Sequence, residues 1–336
     1  MNYRKLGRTD IDVSVICQGC WSLVSDDFNW GHNDLQDSIA AIEASLDAGV
    51  NFFDTAEGYG DGESEEILAR ALGGRSKEVV IATKCSRGNL APDDIREHCE
   101  ASLRRLKRDT IDLYQIHWPR PDIPVAESMG AMEQLRDEGK VRAIGVSNFG
   151  VSYMQDLQRA GRAESNQLCY SLLWRPIEHA VGPMCVENDW SILCYSPIAQ
   201  GLLTGKFASV DEIPDKRVRT RLFSSQRPNT SHGEPGCEHE MFDAIARIRE
   251  ISESLGQPMG NVSMAWLLAQ PGVGSVIVGG RNPGQARQNA AAGDLALDEE
   301  VVDQLSEATE PVKQAVGTNC DMWEHENRME KPGHVQ

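Results

Sequence analysis

Val79-Val80-Ile81-Ala82-Thr83-Lys84 and Ile111-Asp112-Leu113-Tyr114-Gln115-Ile116-His117 bracket the stretch that decides the fold. Each holds a short β-type run, 79–83 and 111–116, that ends on a polar residue. Between them Pro92 opens a helical pattern with Ile95, Cys99, Leu103 and Leu106 on one face. The Val-Val-Ile-Ala run is apolar without alternation, as expected of a strand covered on both faces, so the unit reads as two parallel strands joined by a crossover helix.

Outward from this unit the pattern repeats. On the N-terminal side come a strand at 13–17 and a helix carrying Leu35, Ile39, Ile42 and Leu46, opened by Asn33 with Gln36 at capping-box spacing and closed by Gly49. A strand at 50–54 and a short helix with Ile67, Leu68 and Leu72, ending at Gly73-Gly74, follow. On the C-terminal side Val125, Met129, Met132 and Leu135 form a helical stripe before Gly139; strand 141–146, with its Ala-Ile-Gly-Val run, and helix 151–157 succeed it. Runs at 168–170, 192–195 and 276–278 bring the strands to eight, with helices near 179–188, 262–269 and 283–291. Eight such units predict a closed (β/α)8 TIM barrel, spanning about residues 3–308 of a single domain of 1–336. Residues 206–240, rich in Pro, Gly, Ser and Arg and without periodicity, read as a long functional or mobile loop after strand seven, followed by an amphipathic helix at 242–255. The C-terminal tail, 309–336, reads as solvated, with a cover over the pocket or over an oligomer interface as the alternatives.

Composition narrows the function. The 336 residues carry a formal net charge of −18, which repels phosphate backbones and anionic membrane surfaces, so neither nucleic acid nor membrane is an expected partner. An anionic ligand must therefore meet a local basic site. No apolar run reaches the ~18 residues of a membrane span, and residues 1–12 contain no signal-peptide core, which makes the cytoplasm the expected location. Nine scattered cysteines do not form a disulfide framework and read as reduced core residues, Cys17-Gln-Gly-Cys20 included. Cys237-Glu-His239 and Cys320, His325 and His334 are too loosely spaced for a metal and read as solvated loop and tail; no metal is expected.

In a barrel of this kind, catalytic side chains lie where strands end and the following loops begin. Polar residues break the apolar runs at those points: Asp54, Lys84, His117, Ser147-Asn148 and Tyr195. A carboxylate, an ammonium and an imidazole on successive strand ends converge on one pocket mouth, where they perturb one another's protonation. A barrel metalloenzyme needs clustered ligands instead, and the lysine here would repel a cation.

Four motifs carry a family resemblance. Phe53-Asp54-Thr55-Ala56-Glu57-Gly58-Tyr59-Gly60, Ala82-Thr83-Lys84, Ile116-His117-Trp118-Pro119 and the stretch from Gly139 to Phe149 resemble the aldo-keto reductase family, bacterial NADPH-dependent members in particular. The resemblance implies an oxidoreductase that binds NADPH, with NADH as the alternative, in extended form without a Rossmann domain. It further implies reduction of a small aldehyde or ketone by direct hydride transfer. Tyr59 is then the general acid, Lys84 the cation that favours its phenolate, Asp54 the partner of Lys84, and His117 the donor that orients the carbonyl. By the same resemblance Ser147, Asn148 and Gln167 meet the nicotinamide carboxamide and Tyr195 stacks on its ring, while Ser196, Pro197, Gln200, Leu202 and Lys206 follow the pyrophosphate. Gly279, Arg281, Gln285, Gln288 and Asn289 meet the adenosine end, Arg281 taking the charge where many members have arginine at the position of Gln285. Trp21, Trp30 and Trp118 match an aromatic substrate pocket. The family also includes potassium-channel β-subunits, so the alternative is an NADPH-binding regulatory or redox-sensing barrel with little turnover; the oligomeric state stays open.

Overall fold

In the computed structural model, which describes residues 1–25 and 31–334, an antiparallel hairpin precedes the barrel: β1 (Tyr3–Lys5) pairs with β2 (Asp12–Ser14). Eight parallel strands then close on themselves: β3 (Ile16–Gly19), β4 (Phe52–Asp54), β5 (Val80–Cys85), β6 (Ile111–Ile116), β7 (Val141–Ser147), β8 (Ser165–Cys169), β9 (Ser191–Tyr195) and β10 (Val273–Gly279). The expected single strand at 13–17 is thus two elements. Its first half belongs to the hairpin, whose Leu6, Ile11 and Val13 join Cys17, Phe52, Val80, Leu113, Ala143, Leu193 and Ile277 in one cluster that fills the barrel interior. The strand expected at 168–170 begins earlier because Ser165, Asn166 and Gln167 are polar yet buried, which hides them from a reading of apolar runs.

The helices surround the strands: α1 (Leu35–Asp47), α2 (Glu63–Leu72), α3 (Pro92–Leu106), α4 (Val125–Asp137), α5 (Val151–Ala160), α6 (Val181–Glu187), α7 (Glu238–Ser254), α8 (Met259–Leu268), α9 (Pro283–Ala291), α10 (Glu299–Ala308) and α11 (Glu310–Val316). Their apolar stripes pack on the outer faces of the strands in a second, larger cluster that includes Ile42, Leu68, Cys99, Leu103, Met129 and Leu157. The N-cap of α1 is Asp34 rather than Asn33. The Asp34 carboxylate accepts the Gln36 backbone N–H at 2.7 Å, while the Asn33 amide donates to Ser38 Oγ at 2.7 Å. None of the helices described is long and apolar enough to cross a membrane.

The loop after β9 and the C-terminal tail depart furthest from expectation, because each covers the other. Arg221, 5% exposed, pairs with Glu234 at 2.9 Å and donates to the backbone carbonyls of Val316, Asn319 and Asp321. The tail is not a solvated strand of chain: it contains α11 and buries Cys320, Asp321, Met322, Met329 and Glu330. The Glu330 carboxylate caps α5, accepting the backbone N–H of Val151 at 2.6 Å and of Ser152 at 2.8 Å, and Gly150 N–H donates to Met329 O at 2.7 Å. Cys237 and Cys320 are therefore core residues, not loop and tail; all nine cysteines are buried free thiols, Cys17 and Cys20 among them.

Candidate active site

The parallel register aligns Gly19 with Asp54 on the neighbouring strand and Lys84 with Gln115, so polar side chains meet just above the apolar interior of the barrel. Lys84, whose side chain is fully buried, donates from Nζ to Asp54 Oδ1 at 2.7 Å, to Thr55 O at 2.7 Å and to Tyr59 Oη at 3.3 Å. The other Asp54 oxygen accepts from Gln167 Nε2 at 2.7 Å and from Gln115 Nε2 at 3.4 Å. A buried ion pair is tolerated only when its hydrogen-bonding capacity is filled in this way. Burial works against the Lys84 ammonium, but Asp54 and Tyr59 outweigh it and lift its pKa above the ordinary lysine value.

Tyr59 stands in the loop after β4, its ring 5.7 Å from His117 in an edge arrangement and stacked 5.9 Å from Trp21. Burial pushes its phenol above the ordinary value, and Lys84 offsets only part of that rise. Burial, reinforced by the Lys84 charge, pulls His117 down to about 3, so the imidazole is neutral across the physiological range. Together these groups offer a protonated phenol on a buried ammonium beside a neutral imidazole, an arrangement able to protonate a carbonyl oxygen without first acquiring a proton from water.

The turn after Tyr59 depends on Gly62. It sits at φ +92°, and a Cβ there would come within 2.5 Å of Arg105 Cδ. Glu57 is a contributor that sequence reasoning missed. Its buried carboxylate accepts Ser86 N–H at 2.7 Å and Asn89 Nδ2 at 2.9 Å, and it lies 2.6 Å from His98 Nδ1. The Tyr59 loop is thereby tied to the loop after β5, and its acidic side chain two residues before the tyrosine was the available signal.

A cavity of about 1380 Å³ extends across the C-terminal face of the barrel. Asp54, Tyr59, His117, Ser147, Asn148, Gln167, Tyr195, Ser196, Pro197, Gln200, Lys206, Gly279, Arg281, Gln285, Gln288 and Asn289 line it, as do Trp21 and Trp118. Lys84 lies behind the surface, beneath Tyr59. The Leu202 side chain is 4% exposed within the apolar core and is not part of the lining, and Trp30 lies outside the described residues. Arg217, Arg219, Trp323, Glu324 and Arg328 also line the cavity; the last three come from the tail.

The nitrogen-rich middle of the cavity is cross-linked. Tyr195 Oη donates to Asn148 Oδ1 at 2.9 Å, Asn148 Nδ2 donates to Ser147 Oγ at 3.0 Å and His117 O at 3.1 Å, and Ser147 Oγ donates to Gln167 O at 3.0 Å. The far end is basic. Burial lowers the pKa of Lys206, with Arg217 adding to it; burial lowers that of Arg217, with Arg281 adding to it. Gly201, at φ +97°, leaves open the space before two of these cations: a Cβ there would stand 3.1 Å from Lys206 Nζ and 3.4 Å from Arg217 Nη1. Behind Arg281 the first turn of α9 is capped by Asn282, whose side chain accepts Gln285 N–H at 3.0 Å. Mutually repelling cations beside a helix N-terminus favour a bound anion. Among the described residues no group of three or more His, Cys, Asp or Glu is placed to hold a metal ion.

The chain is similar to known proteins over most of its length. Residues 15–310 match the Aldo/keto reductase family model. The chain is 34% identical over 298 residues to aldo-keto reductase YhdN of Bacillus subtilis (strain 168), covering 85% of this chain and 86% of that protein. It is 32% identical over 330 residues to the NADH-specific methylglyoxal reductase of Escherichia coli (strain K12), covering 91% and 98%. A crystal structure of an aldo/keto reductase from Klebsiella pneumoniae in complex with NADP and acetate is similar with a TM-score of 0.73 at 30% identity, over 93% of this chain and 96% of that one. With a family model spanning most of its length and such relatives covering nearly all of it, this chain belongs to the aldo/keto reductase family.

Proposed function

We propose that the chain is an NAD(P)H-dependent reductase of small aldehydes or ketones in which Tyr59 delivers the proton. The observation that carries this reading is the hydrogen-bonded series Asp54, Lys84, Tyr59 beside a neutral His117, at one end of a cavity whose other end is cationic. The donor set fits a dinucleotide. Ser147, Asn148 and Gln167 offer amide and hydroxyl groups for a carboxamide, Tyr195 offers an aromatic face, and Lys206, Arg217 and Arg281 surround a glycine-lined space suited to phosphates. Bound there, a reduced nicotinamide supplies the hydride. Tyr59 Oη gives its proton to the carbonyl oxygen, and the Lys84 ammonium stabilises the phenolate left behind. Asp54 keeps Lys84 charged and aimed, while the neutral imidazole of His117 donates to the same oxygen and fixes its direction.

NADPH is the favoured cofactor, because three cations converge at the far end and a 2′-phosphate would relieve their repulsion. The related NADH-specific enzyme and the related NADP complex support a nicotinamide cofactor in either form. The test is a panel of aldehydes and ketones assayed by cofactor oxidation with NADPH and with NADH, before and after chelation with EDTA. Turnover that survives EDTA and is more efficient with NADPH supports the reading. Restoration of a lost activity by zinc or magnesium would replace it with a metalloenzyme, and cofactor binding without turnover on any carbonyl would replace it with a sensing role.

A further inference from the structure

Of the indoles expected to form an aromatic substrate wall, Trp118 and Trp21 line the cavity, and each has a ring face in contact with another side chain. Trp118, next to His117, has the Arg328 guanidinium 4.6 Å above its ring; Trp323 has that of Arg219 at 4.7 Å; Trp21 is stacked on Tyr59. Arg328 is fixed rather than adrift. Its Nε and Nη2 donate to the two oxygens of Asp321 at 2.6 and 2.9 Å, and that carboxylate, with a fully buried side chain, also accepts the backbone N–H groups of Trp323 and Glu324. Arg328 therefore stands at the reacting end of the cavity on a preorganised base, 32% of its side chain exposed, with Nη1 donating to no described protein group. Its charge also reaches the Tyr195 hydroxyl, which is bonded to Asn148 and so adjoins His117.

We infer that Arg328 is a specificity-determining residue that selects carbonyl substrates carrying an anionic group, a carboxylate or a phosphate, held beside Trp118. This rests on the reading of the Tyr59 end as the reacting end. A neutral substrate that covers Arg328 removes water from its remaining N–H groups and returns no acceptor of equal strength, whereas an anion returns a charge-assisted hydrogen bond. Arg87 and Arg219 line the same region, against Glu324 and an Asp321 whose oxygens are already occupied. In a chain of net charge −18 this is a local reversal of sign.

The test compares kcat/KM within matched pairs at saturating NADPH: 4-carboxybenzaldehyde against methyl 4-formylbenzoate for the carboxylate, and glyceraldehyde 3-phosphate against glyceraldehyde for the phosphate. The wild type should prefer the anionic member of at least one pair by roughly tenfold, and which pair responds identifies the anion. Arg328→Met should bring that ratio close to one and Arg328→Lys should hold it between, and raising NaCl from about 0.05 to about 0.5 M should shrink the wild-type ratio. The wild-type ratio requires no variant to fold. Equal efficiency on both members of both pairs, or an undiminished ratio in Arg328→Met, overturns the inference while leaving the reductase intact. No reduction of any of the four compounds overturns the reductase reading and this inference with it.

Discussion

Replacing Lys84 with methionine removes the cation on which Asp54 and Tyr59 both lean, and the structure sets the size of the effect. Asp54 loses an ammonium at 2.7 Å and keeps only the Gln167 and Gln115 amides, while Thr55 O loses its 2.7 Å donor. With both side chains almost wholly inaccessible, the orphaned carboxylate should cost about 3 to 5 kcal/mol of folding stability. Turnover should fall by about 10² to 10⁴, the scale of general acid catalysis. The double variant Asp54→Asn with Lys84→Met removes the orphan charge and should recover about 2 kcal/mol of the combined loss without recovering turnover. Lys84 has a raised pKa in the fold, so its stabilisation is fully present below the ordinary lysine value of 10.5 and is lost only as the pH rises through the folded value. Urea unfolding of the four proteins in the cycle, with kcat measured on each, is the assay. A Lys84→Met deficit below about 1 kcal/mol, or turnover restored along with stability in the double variant, refutes the reasoning.

Three further outcomes are expected. Arg281→Ala should weaken NADPH about tenfold to a hundredfold and NADH little, as read by fluorescence titration; equal small losses for both would assign the 2′-phosphate to Lys206 or Arg217 instead. The pH profile of kcat/KM should show no break near 6.5, because His117 titrates at about 3, and should fall only above about pH 10, because Tyr59 is raised; an inflection between about pH 6 and 7 would contradict a neutral imidazole. Glu330→Gln should cost about 1 to 2 kcal/mol by weakening the cap of α5, measured by urea unfolding, and a change within about 0.3 kcal/mol would show that the cap carries no weight.

The barrel was legible because β-type runs and helical stripes alternate with little interruption, and Asp54, Lys84 and His117 were legible because each breaks such a run at its C-terminal end. The hairpin was not, since two three-residue strands are too short to show a period and the second continues directly toward β3. The tail was hidden for a different reason. Its anchors are single side chains, Cys320, Met322 and Met329, and a carboxylate that caps a helix 179 residues away, none of which leaves a periodic trace. Trp118 lines the cavity, but the cation beside it left no trace in the sequence: only the folded tail brings Arg328 over its ring. Arg217 and Arg219, in a loop without periodicity, likewise reach the cavity through tertiary placement alone.

The central claim is that the Tyr59 hydroxyl supplies the proton, and Tyr59→Phe tests it most directly. The substitution removes one 3.3 Å contact to Lys84 and leaves the ring beside His117 and Trp21. Measured together by fluorescence titration and steady-state turnover on a reactive aldehyde, NADPH affinity should stay within about twofold while kcat falls by about 10² to 10⁴. Near-wild-type kcat with normal cofactor binding would contradict the mechanism.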